Sequence, residues 1–291
     1  MTQNVEVVPM RVLRQRAVDA LTRAGVVDPE VDAELLIGHV AGLRRGELQA
    51  RIVMEATIPS ADAAAVDALV RRRASREPLQ HITGRAPFRS LELAVGPGVF
   101  VPRPETEQVA QIAIDALRAM ADPAPIGVDL GTGSGAIALA LASEVPHARV
   151  FAVENSPEAF VWTTRNFRKV GTGNATLVFA DLADALHELD GSVSVVISNP
   201  PYIPLGATPR DPEVRLFDPE HALYGGEDGL DVVRLVSRTA LRLLRAGGTL
   251  VIEHGELQAA KIAALLTADG WRALSGHRDL TSRDRATSAL R

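Results

Sequence analysis

From residue 126 to residue 268 the chain alternates short apolar runs with amphipathic helical stretches, and no other feature narrows its fold as sharply. Hydrophobic spacing predicts strands at 126–130, 149–154, 175–180, 192–198 and 249–253, and helices at 136–142, 157–170, 229–244 and 257–268. Strands this short and this apolar, separated by helices, must pair in parallel with helices covering both sheet faces. The expectation is an α/β fold with a doubly wound, mostly parallel sheet that takes its ligands at the carboxyl ends of the strands.

Ahead of this region the pattern changes twice. Residues 11–77 carry apolar positions at helical spacing through 12–21, 31–40 and 63–70, which predicts a small N-terminal helical bundle. Asp28-Pro29 has the form of an N-cap followed by proline at the first helical position, and Ser60 is placed to cap a later helix. The run Arg71-Arg72-Arg73 is expected on a solvated helix face. Between 78 and 104, Gly84, Pro87, Gly96, Pro97, Gly98, Pro102 and Pro104 punctuate short apolar runs, as in a hairpin linker. An amphipathic helix then begins near Glu105. The expected domains are 1–77, 78–104 and 105–291.

Composition excludes several classes. No stretch approaches the roughly 18 to 20 consecutive apolar residues of a membrane span, and the N-terminus has no apolar block of the signal-peptide kind. Without cysteine the chain has no disulfide, thiolate metal site or cysteine nucleophile, which fits a cytoplasmic protein. A net charge of -5 lacks the basic footprint of a protein that grips nucleic acid through many phosphates. The seven histidines show no close metal-ligand spacing, and no metal is expected.

Two segments carry chemistry. Gly131, Thr132, Gly133, Ser134 and Gly135 follow an apolar strand and open a helix, a tight turn where a ligand can approach bare backbone. Glu154 ends the next strand, 19 residues beyond Gly135, where a carboxylate can accept from both ribose hydroxyls of a nucleoside. Asp181 and Leu182, after the third strand, can meet an adenine amino group and ring. These residues fit NAD and S-adenosylmethionine alike.

The second segment is Asn199-Pro200-Pro201-Tyr202, directly after a buried strand. Asn199 and Pro200 each precede a proline and are pushed toward extended backbone, and neither proline has an N–H. The stiff turn therefore presents acceptors: the Asn199 side-chain carbonyl and the Pro200 main-chain carbonyl, aimed at one planar NH₂ group. Such a pair suits methyl transfer to an amide or exocyclic amine, because it orients the nitrogen and stabilises the positive charge it gains. Tyr202 can pack its ring on the target group.

Together with Gly131–Gly135, Asn199 to Tyr202 look like the amino-methyltransferases of the class I S-adenosylmethionine fold. Residues 78–84 (Pro-Leu-Gln-His-Ile-Thr-Gly), 101–107 (Val-Pro-Arg-Pro-Glu-Thr-Glu) and 219–230 resemble the HemK/PrmC family, the peptide chain release factor N5-glutamine methyltransferases. The resemblance spans nearly the whole chain. It implies S-adenosyl-L-methionine as cofactor and S-adenosyl-L-homocysteine as product. It also implies class I release factors as protein partners, methylated on the glutamine of their Gly-Gly-Gln loop. By matched position Asn199, Pro200 and Tyr202 are catalytic, and Asn199, Pro200, Pro201 and Tyr202 bind substrate. Gly131, Thr132, Gly133, Ser134, Gly135, Glu154, Asp181, Leu182 and Asn199 bind cofactor. The helical bundle would grip the release factor away from its reactive loop. His81 stands where the family often has tyrosine, and Glu154 where aspartate is commoner. The alternative is a nucleic-acid amino-methyltransferase acting on adenine N6 or cytosine N4.

The protein is expected to be a monomer without direct nucleic-acid or membrane contact. His254 is expected to be structural or exposed rather than a proton acceptor. Residues 205–226 are long for a loop in a compact domain, and 209–224 are expected to close over the substrate.

Overall fold

The computed structural model describes residues 6–291, and these fall into two units: the chain up to Gly84 with Arg210–Phe217, and Arg85–Pro209 with Asp218–Arg291. In the first unit, strands β1 (Val7–Pro9) and β2 (Thr57–Pro59) pair antiparallel beside helices α1 (Met10–Arg23), α2 (Pro29–Ala41), α3 (Arg45–Val53), α4 (Ser60–Ala74) and α5 (Leu79–Thr83). Leu13, Ala17 and Leu21 recur every four residues along α1. They are buried with Leu36, Ile37, Leu48 and Val66, so one apolar stripe per helix makes the core.

Local details differ from expectation. Asp28 sits at the N-cap of α2 with proline following, but its side chain caps nothing. Ser60 is the first residue of α4, after an N-cap at Pro59, and its N–H donates to the Glu6 carbonyl (2.9 Å) beside β1. Arg71 and Arg72 are solvated, whereas Arg73 is buried and donates to Asp32 at 2.7 Å.

The second unit opens with an antiparallel hairpin, β3 (Arg85–Phe88) and β4 (Leu91–Ala94), followed by α6 (Pro104–Arg118). The segment 78–104 is thus divided: α5 ends at Gly84, φ +72°, within the first unit, and the hairpin belongs to the second. Then come β5 (Ile126–Leu130), α7 (Ala136–Glu144), β6 (Arg149–Glu154), α8 (Pro157–Val170), β7 (Ala175–Phe179), β8 (Val193–Ser198) and, after α9 (Pro212–Phe217), which folds with the first unit, α10 (Asp231–Leu243), β9 (Leu244–Glu253), α11 (Ala259–Ala268), β10 (Arg272–Arg278) and β11 (Asp284–Leu290). The seven-stranded sheet has the order β10-β11-β9-β8-β5-β6-β7. β5 to β9 run parallel, and β11 is antiparallel to both of its neighbours.

Side chains alternate across this sheet as the pleat requires. Val195, Ile197 and Val251 face the cluster built with α6 and α7, and Val196, Leu250 and Ile252 face the one built with α10 and α11. Chain order reverses between β5 and β8, which opens a crevice at their carboxyl ends.

The fully buried Asn166 on α8 ties the hairpin to the segment after β5. Its Oδ1 accepts from Ala94 N (2.7 Å), and its Nδ2 donates to the carbonyls of Ala94 and Ser134 (2.9 Å each). Asn166→Ala strands three buried backbone groups and is expected to cost about 3 kcal/mol or more in urea unfolding. A loss below about 0.5 kcal/mol would mean the hairpin is held by its apolar contacts alone.

Candidate active site

Parallel register brings Leu130, Glu154, Phe179, Ser198 and Glu253 to one edge of the sheet, and the segments that follow them form the site. After β5, the N–H groups of Gly131 and Thr132 both donate to the Val153 carbonyl (2.9 and 3.0 Å). Gly133 N–H donates to Glu154 Oε2 at 2.8 Å, while Asn155 N (3.0 Å) and Ser156 N (2.8 Å) donate to Oε1. Thr163 on α8 donates to the Gly133 carbonyl.

Gly131, Gly133 and Gly135 all have positive φ, at +73°, +58° and +84°. Their surroundings differ. A Cβ on Gly135 would stand 3.1 Å from both Phe167 and Thr163, so that glycine lets α7 pack on α8. Around Gly131 and Gly133 no protein atom comes within 4 Å of where a Cβ would be, leaving a cradle open in front of the backbone.

Asp181, after β7, is exposed; its Oδ1 accepts from Ala183 N (2.9 Å) and its Oδ2 from the Asn155 amide (3.3 Å). Leu182 beside it is half-buried against the core. At the end of β8, Ser198 Oγ donates to the Leu130 carbonyl (2.7 Å) and pins the start of the Asn-Pro-Pro-Tyr turn to the start of the glycine turn. Among the described residues, neither the Asn199 side chain nor the Pro200 carbonyl has a hydrogen-bond partner in the protein. The returning chain lies close by. Ile203 N donates to Leu223 O (2.8 Å), Gly225 N to Ile203 O (2.9 Å) and Leu205 N to Gly226 O (3.0 Å).

Residues 209–224 do not make one lid. Arg210–Phe217 folds with the first unit, where Glu213 accepts from Arg73 (2.8 Å) and Arg76 (2.7 Å), and residues 223–226 bond to the strand exit.

Two titratable groups near the turn, Tyr202 and His254, are held in fixed states. Tyr202 is pushed up to about 12 by burial and by the charge of Glu253, and so stays protonated. His254 is fully buried, its Nδ1 at 3.0 Å from the Gly255 carbonyl and its Nε2 at 2.9 Å from Thr287 Oγ1. Because a carbonyl only accepts, the proton sits on Nδ1, and burial holds the ring's pKa low. Of the two expected readings, structural or exposed, the buried and doubly bonded ring fits the structural one.

Sequence pattern gave no site role to Asp129, Glu253 or Gln258. Asp129 lies wholly buried under the glycine turn, with Oδ2 accepting from Thr132 Oγ1 (2.6 Å) and Ala138 N (3.1 Å). Glu253 accepts from Thr106 Oγ1 at 3.2 Å, and its Oε2 is buried without a partner. Gln258 reaches from the start of α11 to the Tyr202 carbonyl (2.8 Å). An acid ending an otherwise apolar strand was the available signal for Glu253; Gln258 carries none. Among the described residues no group of His, Asp or Glu is arranged to hold a metal ion, and no helix is long and apolar enough to cross a membrane.

Residues 13–84 match the PrmC N-terminal domain and residues 90–217 the methyltransferase small domain. A release factor glutamine methyltransferase of Streptomyces coelicolor is 51% identical over 280 residues, covering 94% of this chain and 95% of the relative. One from Mycolicibacterium smegmatis is 46% identical, covering 97% and 98%. A 4-amino-L-phenylalanine/4-methylamino-L-phenylalanine methyltransferase of Streptomyces pristinaespiralis is 42% identical, covering 87% and 86%.

Burial pushes the carboxyls of Asp129 and Glu253 each up to about 7. Below the ordinary carboxyl range both are protonated whether the chain is folded or not. As pH rises toward about 7 the unfolded chain releases these protons while the fold retains them, so the two groups make stability fall, levelling above about 7. Glu253→Gln is expected to flatten this slope in thermal melts between pH 4.5 and 8 and to raise Tm at the alkaline end. Parallel wild-type and variant curves would refute a protonated buried Glu253.

Proposed function

The chain belongs to the release factor glutamine methyltransferase family, and we propose that it methylates N5 of the glutamine in the Gly-Gly-Gln loop of class I peptide chain release factors, using S-adenosyl-L-methionine. The observation that carries this is the pair of unengaged acceptors, the Asn199 amide and the Pro200 carbonyl, at the switch point beside an open glycine cradle.

The residues present fit the cofactor. Gly131 and Gly133 leave room against bare backbone, and Thr132, Ser134 and Gly135 complete that wall. Glu154 spends three of roughly four carboxylate lone-pair sites on backbone N–H groups, so with the glycine turn in this arrangement one site remains for the ribose, not two. Asp181 and Leu182 would meet the adenine, and Asn199 would contact both cofactor and substrate. When bound, S-adenosylmethionine supplies an electrophilic sulfonium methyl.

The chain's own part is to present the amide. Asn199 Oδ1 and the Pro200 carbonyl accept the two N–H bonds of the glutamine, which fixes the nitrogen and favours it as it gains positive charge. Pro201 stiffens the turn, and the Tyr202 ring packs on the planar amide. No dedicated base is demanded: the Tyr202 hydroxyl keeps its proton and His254 has both nitrogens engaged, so the N–H proton that the nitrogen sheds once the methyl is bound passes to solvent. The helical unit is assigned to gripping the release factor, and the protein to a monomeric, cytoplasmic life without direct nucleic-acid contact, in keeping with its net charge of -5.

A second reading, methylation of a free aryl amine, draws support from the Streptomyces pristinaespiralis relative, since a planar NH₂ would suit the same acceptors. The test is incubation with methyl-labelled S-adenosylmethionine and a purified class I release factor, then mass spectrometry of the Gly-Gly-Gln peptide. One added methyl on the glutamine is expected; transfer only to 4-amino-L-phenylalanine would favour the second reading. Asn199→Ala is expected to lower turnover by roughly 10²-fold with cofactor affinity retained, and unchanged turnover would remove Asn199 from the mechanism. Gly133→Val is expected to abolish cofactor binding by calorimetry, because its side chain enters the open cradle; unaltered affinity would sink that assignment.

A further inference from the structure

Resting on the reading of Asn199–Tyr202 as the turn that presents the acceptor amide, we propose that Gln258 is a positioning residue of the reaction, fixing the carbonyl end of that turn from the start of α11. Pro200 and Pro201 have no N–H to give. The turn must therefore be steadied from outside, through carbonyls that the substrate does not need. Tyr202 offers one, and Gln258 Nε2 donates to it at 2.8 Å.

The other end of the same amide accepts from Gly255 N–H at 3.0 Å, so Gln258 bridges the exits of β8 and β9. Both partners dictate its orientation, since the carbonyl needs a donor and the N–H an acceptor. The side chain is rooted in regular structure: Gln258 is the N-cap of α11, its N–H donates to Gly255 O (3.0 Å), and its carbonyl accepts from Ile262 N (3.0 Å).

Glycines clear the space for this contact. A Cβ on Gly229 would stand 2.3 Å from the Tyr202 carbonyl oxygen and 2.9 Å from Gln258 Nε2, and one on Gly255 would stand 3.0 Å from Gln258 Oε1. On the far side, a Cβ on Gly225 would lie 2.4 Å from the Pro201 carbonyl oxygen. The turn is thus seated between bare backbone and one amide. Releasing that amide lets Tyr202, and with it the Pro200 carbonyl two residues earlier, drift from the reacting nitrogen. A displacement near 1 Å is worth about 10²-fold in rate.

Gln258→Glu separates positioning from scaffolding. The carboxylate keeps an acceptor for Gly255 N–H and sits at a helix N-terminus, where negative charge is favourable, so the fold is retained. It loses the donor and turns an oxygen toward the Tyr202 carbonyl. At pH 8, kcat on a class I release factor is expected to fall about 10- to 100-fold, with KM for the release factor, cofactor Kd and Tm close to wild type. Gln258→Met, similar in length and uncharged, leaves the Gly255 N–H and the Tyr202 carbonyl without a partner, so its Tm is expected to fall, with the same loss of kcat at unchanged KM when assayed below its melting range. Wild-type kcat in Gln258→Glu would overturn the proposal and leave Gln258 as a cap for Gly255. A loss of cofactor affinity or a rise in KM matching the fall in kcat would overturn it equally. Asn199→Ala run in parallel tells the two ideas apart: if that variant is fully active, the reading of the turn fails; if it is impaired while both Gln258 variants are active, only the role of Gln258 fails.

Discussion

Three backbone N–H groups converge on the Glu154 carboxylate, and the shape of the ligand face follows from that convergence. Glu154 is buried and, among the described residues, has no arginine or lysine partner; backbone dipoles from Gly133, Asn155 and Ser156 point at its carboxylate. Charge-assisted bonds of this kind are about twice as strong as neutral ones and directional. They pin the middle of the glycine turn to the end of β6, while the Val153 carbonyl holds the start of the turn. The spacing between the cradle and the strand ends is therefore set by the fold before any ligand arrives.

The neighbouring turn is built on the opposite principle. The glycine turn spends its N–H groups within the protein and keeps open space, whereas Asn199–Tyr202 has few donors and keeps open acceptors. Ser198 joins the two through the Leu130 carbonyl, so the acceptors and the cradle share one reference point. That economy explains why an acceptor-rich turn follows β8 and not another strand: β8 lies directly beside β5 across the switch point.

The fold was legible where local signals agreed. α8 spans Pro157–Val170, the range expected from sequence, because Ser156 caps it, Pro157 starts it and Gly171 ends it in the left-handed conformation. The antiparallel pair β10 and β11 escaped, since Arg272–Arg278 is a largely exposed edge strand without an apolar alternation to detect. The burial of Arg73 was invisible for another reason: its partners, Asp32 and Glu213, are 41 and 140 positions away in sequence, and only tertiary folding brings them together. At the site, the two turns announced themselves through glycine and proline. Asp129, Glu253 and Gln258 did not, because each acts through contacts made by other strands or loops.

What these hidden residues share bears on the chemistry. Around Asn199–Tyr202 two groups that could trade protons are immobilised, Tyr202 by burial and His254 by two hydrogen bonds in a buried site. An amide nitrogen about to be methylated needs its lone pair pointed and its growing charge met by dipoles, and both needs are geometric. A site that relies on geometry concentrates its function in whatever fixes acceptor positions. Here that means two prolines, Gly225 and Gly229 pressed against the carbonyls of Pro201 and Tyr202, and the one amide that reaches across from α11 to hold Tyr202 in place.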